Sequence, residues 1–173
     1  ALMAALTVAG SSLRITLPVS ILGTTAFHLG NIFCALSGIL LGPGLGGLAA
    51  GLGSAIYDML NPMYIADAWI TFLMKGAYGL VAGLIAHSGK QNLSYMKNTL
   101  ATVAGAVTYA ILYLSKNFLT GIIVKGLVPA ASALALLEKV PATIFNAAVA
   151  IIFAPILAAA IYKGLKQSHI SLG

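Results

Sequence analysis

HLGNIFCALSGILLGPGLGGLAAGLGSAIYDMLNP, residues 28–62, is the stretch on which the fold turns. It carries one charged side chain, Asp58, in a run of Leu, Ile, Ala and Gly. Gly42-Pro43-Gly44 interrupts the run near its middle. Glycine permits a sharp turn, and proline removes a helix-interior donor. The spacing therefore predicts two apolar helices, Phe27 to Leu41 and a second ending near Leu60, joined by a tight reversal. The whole chain shares this character: 60% of residues are hydrophobic, 7% are charged, and the mean hydropathy is +1.02. A soluble domain carries about 25% charged residues. This is the composition of an integral membrane protein. At ~20 residues per crossing, the chain has room for about six or seven spans. Six are expected, in one domain over residues 1–173, with no length left for a soluble catalytic domain.

Upstream of the quoted stretch, an apolar run from Ala1 to Leu13 closes at Ser11, Ser12 and Arg14 and is short for a full span. It begins inside an apolar stretch, which suggests that residues precede it. Residues 15–26 hold Pro18, Gly23, two threonines and the β-branched Ile15, Thr16, Val19 and Ile21. They read as an extended, partly re-entrant connection, which membrane depth tolerates only when it is buried in protein or lines a cavity. Downstream, Asn61-Pro62 breaks the helix, and a fourth runs from about Ala66 to His87. Residues 88–98 are polar. A fifth helix covers Thr99 to Lys116 or Thr120. In 121–140, Gly121, Gly126 and Pro129 interrupt a pattern that resumes as a short helix ending at Lys139. Pro141, a favourable first-turn residue, opens a sixth helix to about Lys163.

Nine Lys and Arg stand against three Asp and Glu, a net charge of +6. The cations are scattered singly, so the excess fits loop positions facing anionic lipid headgroups and not nucleic acid. With six spans, Lys90, Lys97, Lys163 and Lys166 fall on one side and Arg14, Lys116, Lys125 and Lys139 on the other. The positive-inside rule therefore gives a tie. Cys34 stands alone, without a disulfide partner. The histidines at 28, 87 and 169 fit no metal-ligand spacing and read as interfacial. Trp69 and Tyr64 read as interfacial anchors, with a stacking role for Trp69 as the alternative. The serines have no nucleophile–base pattern, and no enzyme chemistry is expected. Gly42 to Gly47 matches G-x-G-x-x-G formally, but no strand precedes it, and no Walker loop exists. No cofactor is expected. The glycines at 38, 42 and 46, at 47 and 51, and at 79 and 83 instead recur every four residues, the spacing for close helix packing.

Polar residues inside the spans carry the functional signal. Asp67, Thr71, Lys75 and Tyr78 recur at helical spacing on the fourth helix. Tyr109, Tyr113, Lys116, Asn117 and Thr120 do so on the fifth, and Lys139, Thr143 and Asn146 on the sixth. All three half-stripes lie in one leaflet, capped by loops 15–26, 61–66 and 121–140. A charge in the bilayer costs about 2.5–3.5 kcal/mol on the lenient scale. Three aligned stripes therefore predict a hydrated, one-sided ligand cavity rather than a pore. At the other end of the chain, Ala1, Ala5 and Ala9 form one smooth ridge. It reads either as packing inside the bundle or as a face for another subunit.

Residues 28–62, followed by ADAWITFLMKGAYGLVAGLIAH (66–87), resemble the substrate-binding S-component of energy-coupling factor (ECF) vitamin transporters. The resemblance covers nearly the whole chain and is greatest to the riboflavin-type branch, which includes hydroxymethylpyrimidine and pyridoxine carriers. It implies an all-α bundle of six membrane helices with cytoplasmic termini in the cell membrane, and a vitamin held near the outer face. It also implies a transmembrane T-component and two cytoplasmic ATPases as partners, with the helix 1 alanines Ala1, Ala5 and Ala9 meeting the T-component. The resemblance carries substrate positions onto Asp67, Lys75, Lys139 and Asn146, which the polar stripes reach independently, and the fifth-helix stripe adds Tyr113 and Asn117. The lysines against Asp67 fit a polar or anionic ligand, so pantothenate and riboflavin stand beside hydroxymethylpyrimidine and pyridoxine. The competing class is a self-sufficient proton-coupled carrier using Asp67 or Glu138. Against it, the sequence shows no inverted repeat and no mid-membrane carboxylate.

Overall fold

The computed structural model describes residues 1–17, 22–89 and 94–168. They run α1 (Leu2–Ser12), β1 (Arg14–Leu17), β2 (Thr25–His28), α2 (Gly30–Met59), a 3-10 turn (Ile65–Asp67), α3 (Ala68–Ala86), α4 (Tyr95–Ile123), α5 (Pro129–Leu136) and α6 (Val140–Gln167). The chain is mostly helical, but two short strands qualify the all-α expectation. β1 and β2 pair antiparallel, Arg14 opposite His28 and Leu17 opposite Thr25. The expected extended connection is present where it is described; Pro18, Val19 and Ile21 lie outside the described residues. Pairing claims Phe27 and His28, so the helix expected from Phe27 begins at Gly30. α4 outruns its expected limits at both ends. Its first turn takes in Tyr95 to Asn98, which had read as polar loop.

The Gly-Pro-Gly signal does what its chemistry predicts. Gly42 sits at φ 78° and ψ −179°, and Pro43 follows as the first residue of a second arm. The chain reverses there. A Cβ on Gly46 would lie 2.6 Å from the Cα of Gly38. Further along, Cys34 Sγ meets Ser54 Oγ at 3.7 Å. Gly79 and Gly83 of α3 fill the groove of this hairpin: Cβ atoms on them would come within 2.8 Å of Gly46 O and 2.5 Å of Pro43 N. The four-residue glycine spacing is therefore backbone contact between α2 and α3. The turn also strands a carbonyl, because Ile39 O would bond residue 43, which is a proline without an N–H. His87 Nε2, 2.9 Å away, and Tyr162 Oη, at 3.1 Å, meet it instead. That one oxygen joins the hairpin, α3 and α6.

Among the described residues four helical segments are long and apolar enough to cross a membrane: α2, residues 65–86, α4 and α6. α1 has 11 residues, a rise of about 17 Å at 1.5 Å per residue. Exposure is inverted relative to a soluble protein. Leu45, Leu73, Ile111, Leu119, Ile144 and Phe153 face outward, while Asn31, Lys75, Asn117, Lys139 and Asn146 are buried. A surface of this kind requires hydrocarbon around it. Towards the Gly42 end, Leu36, Ile39, Leu40, Ala86, Ala101 and Ala158 pack as an apolar plug. Asn31, Lys75, Asn117, Lys139 and Asn146 gather at the other end.

Candidate functional site

A cavity of about 480 Å³ occupies that polar end. Its walls come from the three stripes and its roof from the expected loops. α3 supplies Thr71 and Lys75, α4 supplies Tyr109, Tyr113, Lys116, Asn117 and Thr120, and α6 supplies Thr143 and Asn146. Leu22 to Ala26, Met63, Tyr64 and Lys125 close over them. All six substrate positions expected from sequence line this one space: Asp67, Lys75, Tyr113, Asn117, Lys139 and Asn146.

Their surroundings differ. Lys75 is only 4% exposed, so it does not snorkel to an interface. Its ammonium donates to Asn31 Oδ1 and stands 3.8 Å from the centroid of the Tyr109 ring. Those partners solvate the charge without neutralising it. Tyr109 and Tyr113 line the cavity with ring centroids 5.6 Å apart, and Tyr78, outside the lining and buried in the core, stacks on Tyr109 at 6.1 Å. At the rim, Lys116 Nζ pairs with Asp67 Oδ2 at 2.7 Å. Lys139, buried at the cap of α6, donates to Thr24 O at 2.6 Å. Thr24 Oγ1 is also 3.1 Å from Tyr64 Oη, so the segment after β1 is tied to two neighbouring loops. Asn146 uses both ends of its amide on β2: Oδ1 accepts from His28 N at 2.9 Å and Nδ2 donates to Ala26 O at 2.8 Å. Asn117 Nδ2 bonds Tyr113 O at 2.8 Å.

Sequence reasoning missed part of the lining. Arg14 is placed by its sequence as a loop cation, yet its guanidinium donates to Tyr57 Oη at 2.8 Å and lies over the rings of Tyr57 and Tyr64. His28 lines the cavity and is not interfacial, and Asp58 lines it too. Strand pairing brings Arg14 and His28 there, and spacing along helices does not reveal it. Burial holds the Lys139 ammonium down to a pKa of about 8, with Lys116 and Lys125 adding repulsion. Trp69 is 67% exposed and outside the lining, which leaves the anchor reading and removes the stacking one. Ala1, Ala5 and Ala9 lie elsewhere: all three are exposed, while Thr7, Gly10 and Ser11 of the same helix are buried. The ridge is therefore not covered by the described residues. Among the described residues no three His, Cys, Asp or Glu side chains gather to hold a metal ion.

A polar cavity in a lipid-facing bundle has room for a small solute. Residues 1–163 match the family model of the ECF-type riboflavin transporter, S component. An uncharacterized protein from the gap 3'region of Pyrococcus woesei is 32% identical over 111 residues, covering 64% of this chain and 70% of that one. The matched family is one of substrate-binding transporter subunits, not of enzymes. The chain belongs to the ECF-type riboflavin transporter S-component family.

Proposed function

We propose that this chain captures a small water-soluble vitamin or vitamin precursor at the outer face of the cell membrane, as the substrate subunit of an ATP-driven ECF transporter. Hydroxymethylpyrimidine and pyridoxine are the first candidates, with pantothenate and riboflavin next. The observation that carries the reading is the one-ended cavity: buried lysines and asparagines at one end, an apolar plug at the other. Such a site binds and holds but offers no path through. Release then requires another protein to act on the bundle, which fits a T-component driven by two cytoplasmic ATPases. In this reading α1, the two arms of α2, α3, α4 and α6 form the six membrane rods, with cytoplasmic termini.

The test is binding by the purified chain alone. Titration with the four candidates should give saturable binding to one of them. Proteoliposomes holding this chain without partners should not accumulate that compound. ATP-independent accumulation would replace this reading with a secondary carrier.

A further inference from the structure

The cavity lining is electrically lopsided. Arg14, Lys75, Lys116, Lys125 and Lys139 line it against the carboxylates of Asp58 and Asp67, and counting Glu138, which acts on Lys139 from the next residue, the formal excess is two positive charges. Asp67 is already paired with Lys116, while Lys139 bonds a peptide carbonyl and Lys75 an amide and a ring. A neutral acceptor satisfies one N–H and leaves the charge in place. An ammonium has three donors. The bonds just named use one on Lys116 and one on Lys139, so each can turn another towards the cavity. Low-dielectric walls strengthen the field of such a cluster and concentrate anions in it. Tyr113 lies one helical turn from Lys116 on the same wall, stacked on Tyr109.

Resting on the substrate-capture reading, we infer that the ligand is an organic anion: a carboxylate or phosphate seated between Lys116 and Lys139 at the rim, its remaining body lying along Tyr113 and Tyr109. A charge-assisted contact is stronger and shorter than a neutral one. The anion would therefore supply selectivity and the tyrosines contact area.

Matched pairs that differ in the anionic group test this directly. Calorimetric titration of the purified full chain would compare pantothenol with pantothenate, pyridoxine with pyridoxine 5′-phosphate, and riboflavin with its 5′-phosphate. The first pair reads out carboxylate and the other two read out phosphate. In at least one pair the anion should bind at least tenfold more tightly than its neutral partner. Lys116→Met and Lys139→Met should each cut that ratio by fivefold or more, and Lys139→Arg should keep it. Lys116 is partly exposed, so its variant covers the case in which the buried Lys139→Met fails to fold. Neutral members binding as tightly as anions would overturn the inference and leave vitamin capture standing. A preference unchanged in both methionine variants would overturn the seat. Failure of all six compounds and of hydroxymethylpyrimidine to bind would overturn the capture reading, and this inference with it.

Discussion

At the scale of single residues, the site rests on side chains that hold the roof to the walls. Asn146 is the clearest, because one amide satisfies both His28 N and Ala26 O. Asn146→Ala leaves two buried backbone groups unpaired and frees β2 from α6. Unpaired buried groups cost about 1–3 kcal/mol each, so ligand affinity should fall by about tenfold or more in a binding isotherm. Lys139 makes the site pH-sensitive. Burial holds its ammonium down to a pKa of about 8, with repulsion from Lys116 and Lys125 that Glu138 and Asp67 only partly offset. Below that pH the charge is present, and above it the charge is lost. An anionic ligand should therefore bind less tightly as pH rises through 8, by up to about tenfold per unit for one linked proton. Affinity flat from pH 7 to 9 would remove Lys139 from the recognition of charge. The helix-borne half of the site was legible in the sequence, since Lys75, Lys116, Asn117 and Asn146 repeat at helical spacing. Arg14 and His28 were not, because a strand register across residues 14–28 places them, and no local pattern encodes a pairing partner.

Among the elements, the α2 hairpin against α3 is the rigid wall on which Lys75 stands. Gly79 meets Gly46 O so closely that an added Cβ would sit 2.8 Å from it. Gly79→Val should therefore force α2 and α3 apart, costing about 1–3 kcal/mol as overpacking does. A thermal melt in detergent should show the loss. The Ile39 carbonyl makes a second test. His87→Phe combined with Tyr162→Phe removes both side chains that meet it. The pair together should lower the melting temperature more than either change alone, because one remaining donor still satisfies the oxygen. The hairpin was readable from Gly42-Pro43-Gly44, whose backbone preferences are strong and local. Helix ends were less so. Tyr95 to Asn98 is polar enough to read as loop, yet it continues α4, since packing against neighbouring helices outweighs composition at a terminus.

The whole molecule presents two faces: a cavity at one end and an exposed alanine ridge on α1. The ridge lies outside the cavity lining, so Ala5→Trp should leave ligand affinity nearly unchanged while blocking capture of the chain by a T-component in a pull-down. Lost ligand affinity with retained assembly would remove the ridge from the interface. The outward direction of Ala1, Ala5 and Ala9 was not readable from spacing, because a small-residue stripe suits an inner and an outer contact equally. Composition and polar stripes sufficed for the membrane class and the one-sided cavity, since both depend on what hydrocarbon and water will solvate. The central claim is that this chain by itself binds a small solute in the cavity built by α3, α4 and α6. Its most direct test is one calorimetric titration of the candidate vitamins into purified wild-type protein and Asn146→Ala in parallel. The account predicts saturable one-to-one binding of one compound by wild type and at least tenfold weaker binding by the variant. Equal affinity in the two proteins, or no binding by wild type, would contradict it.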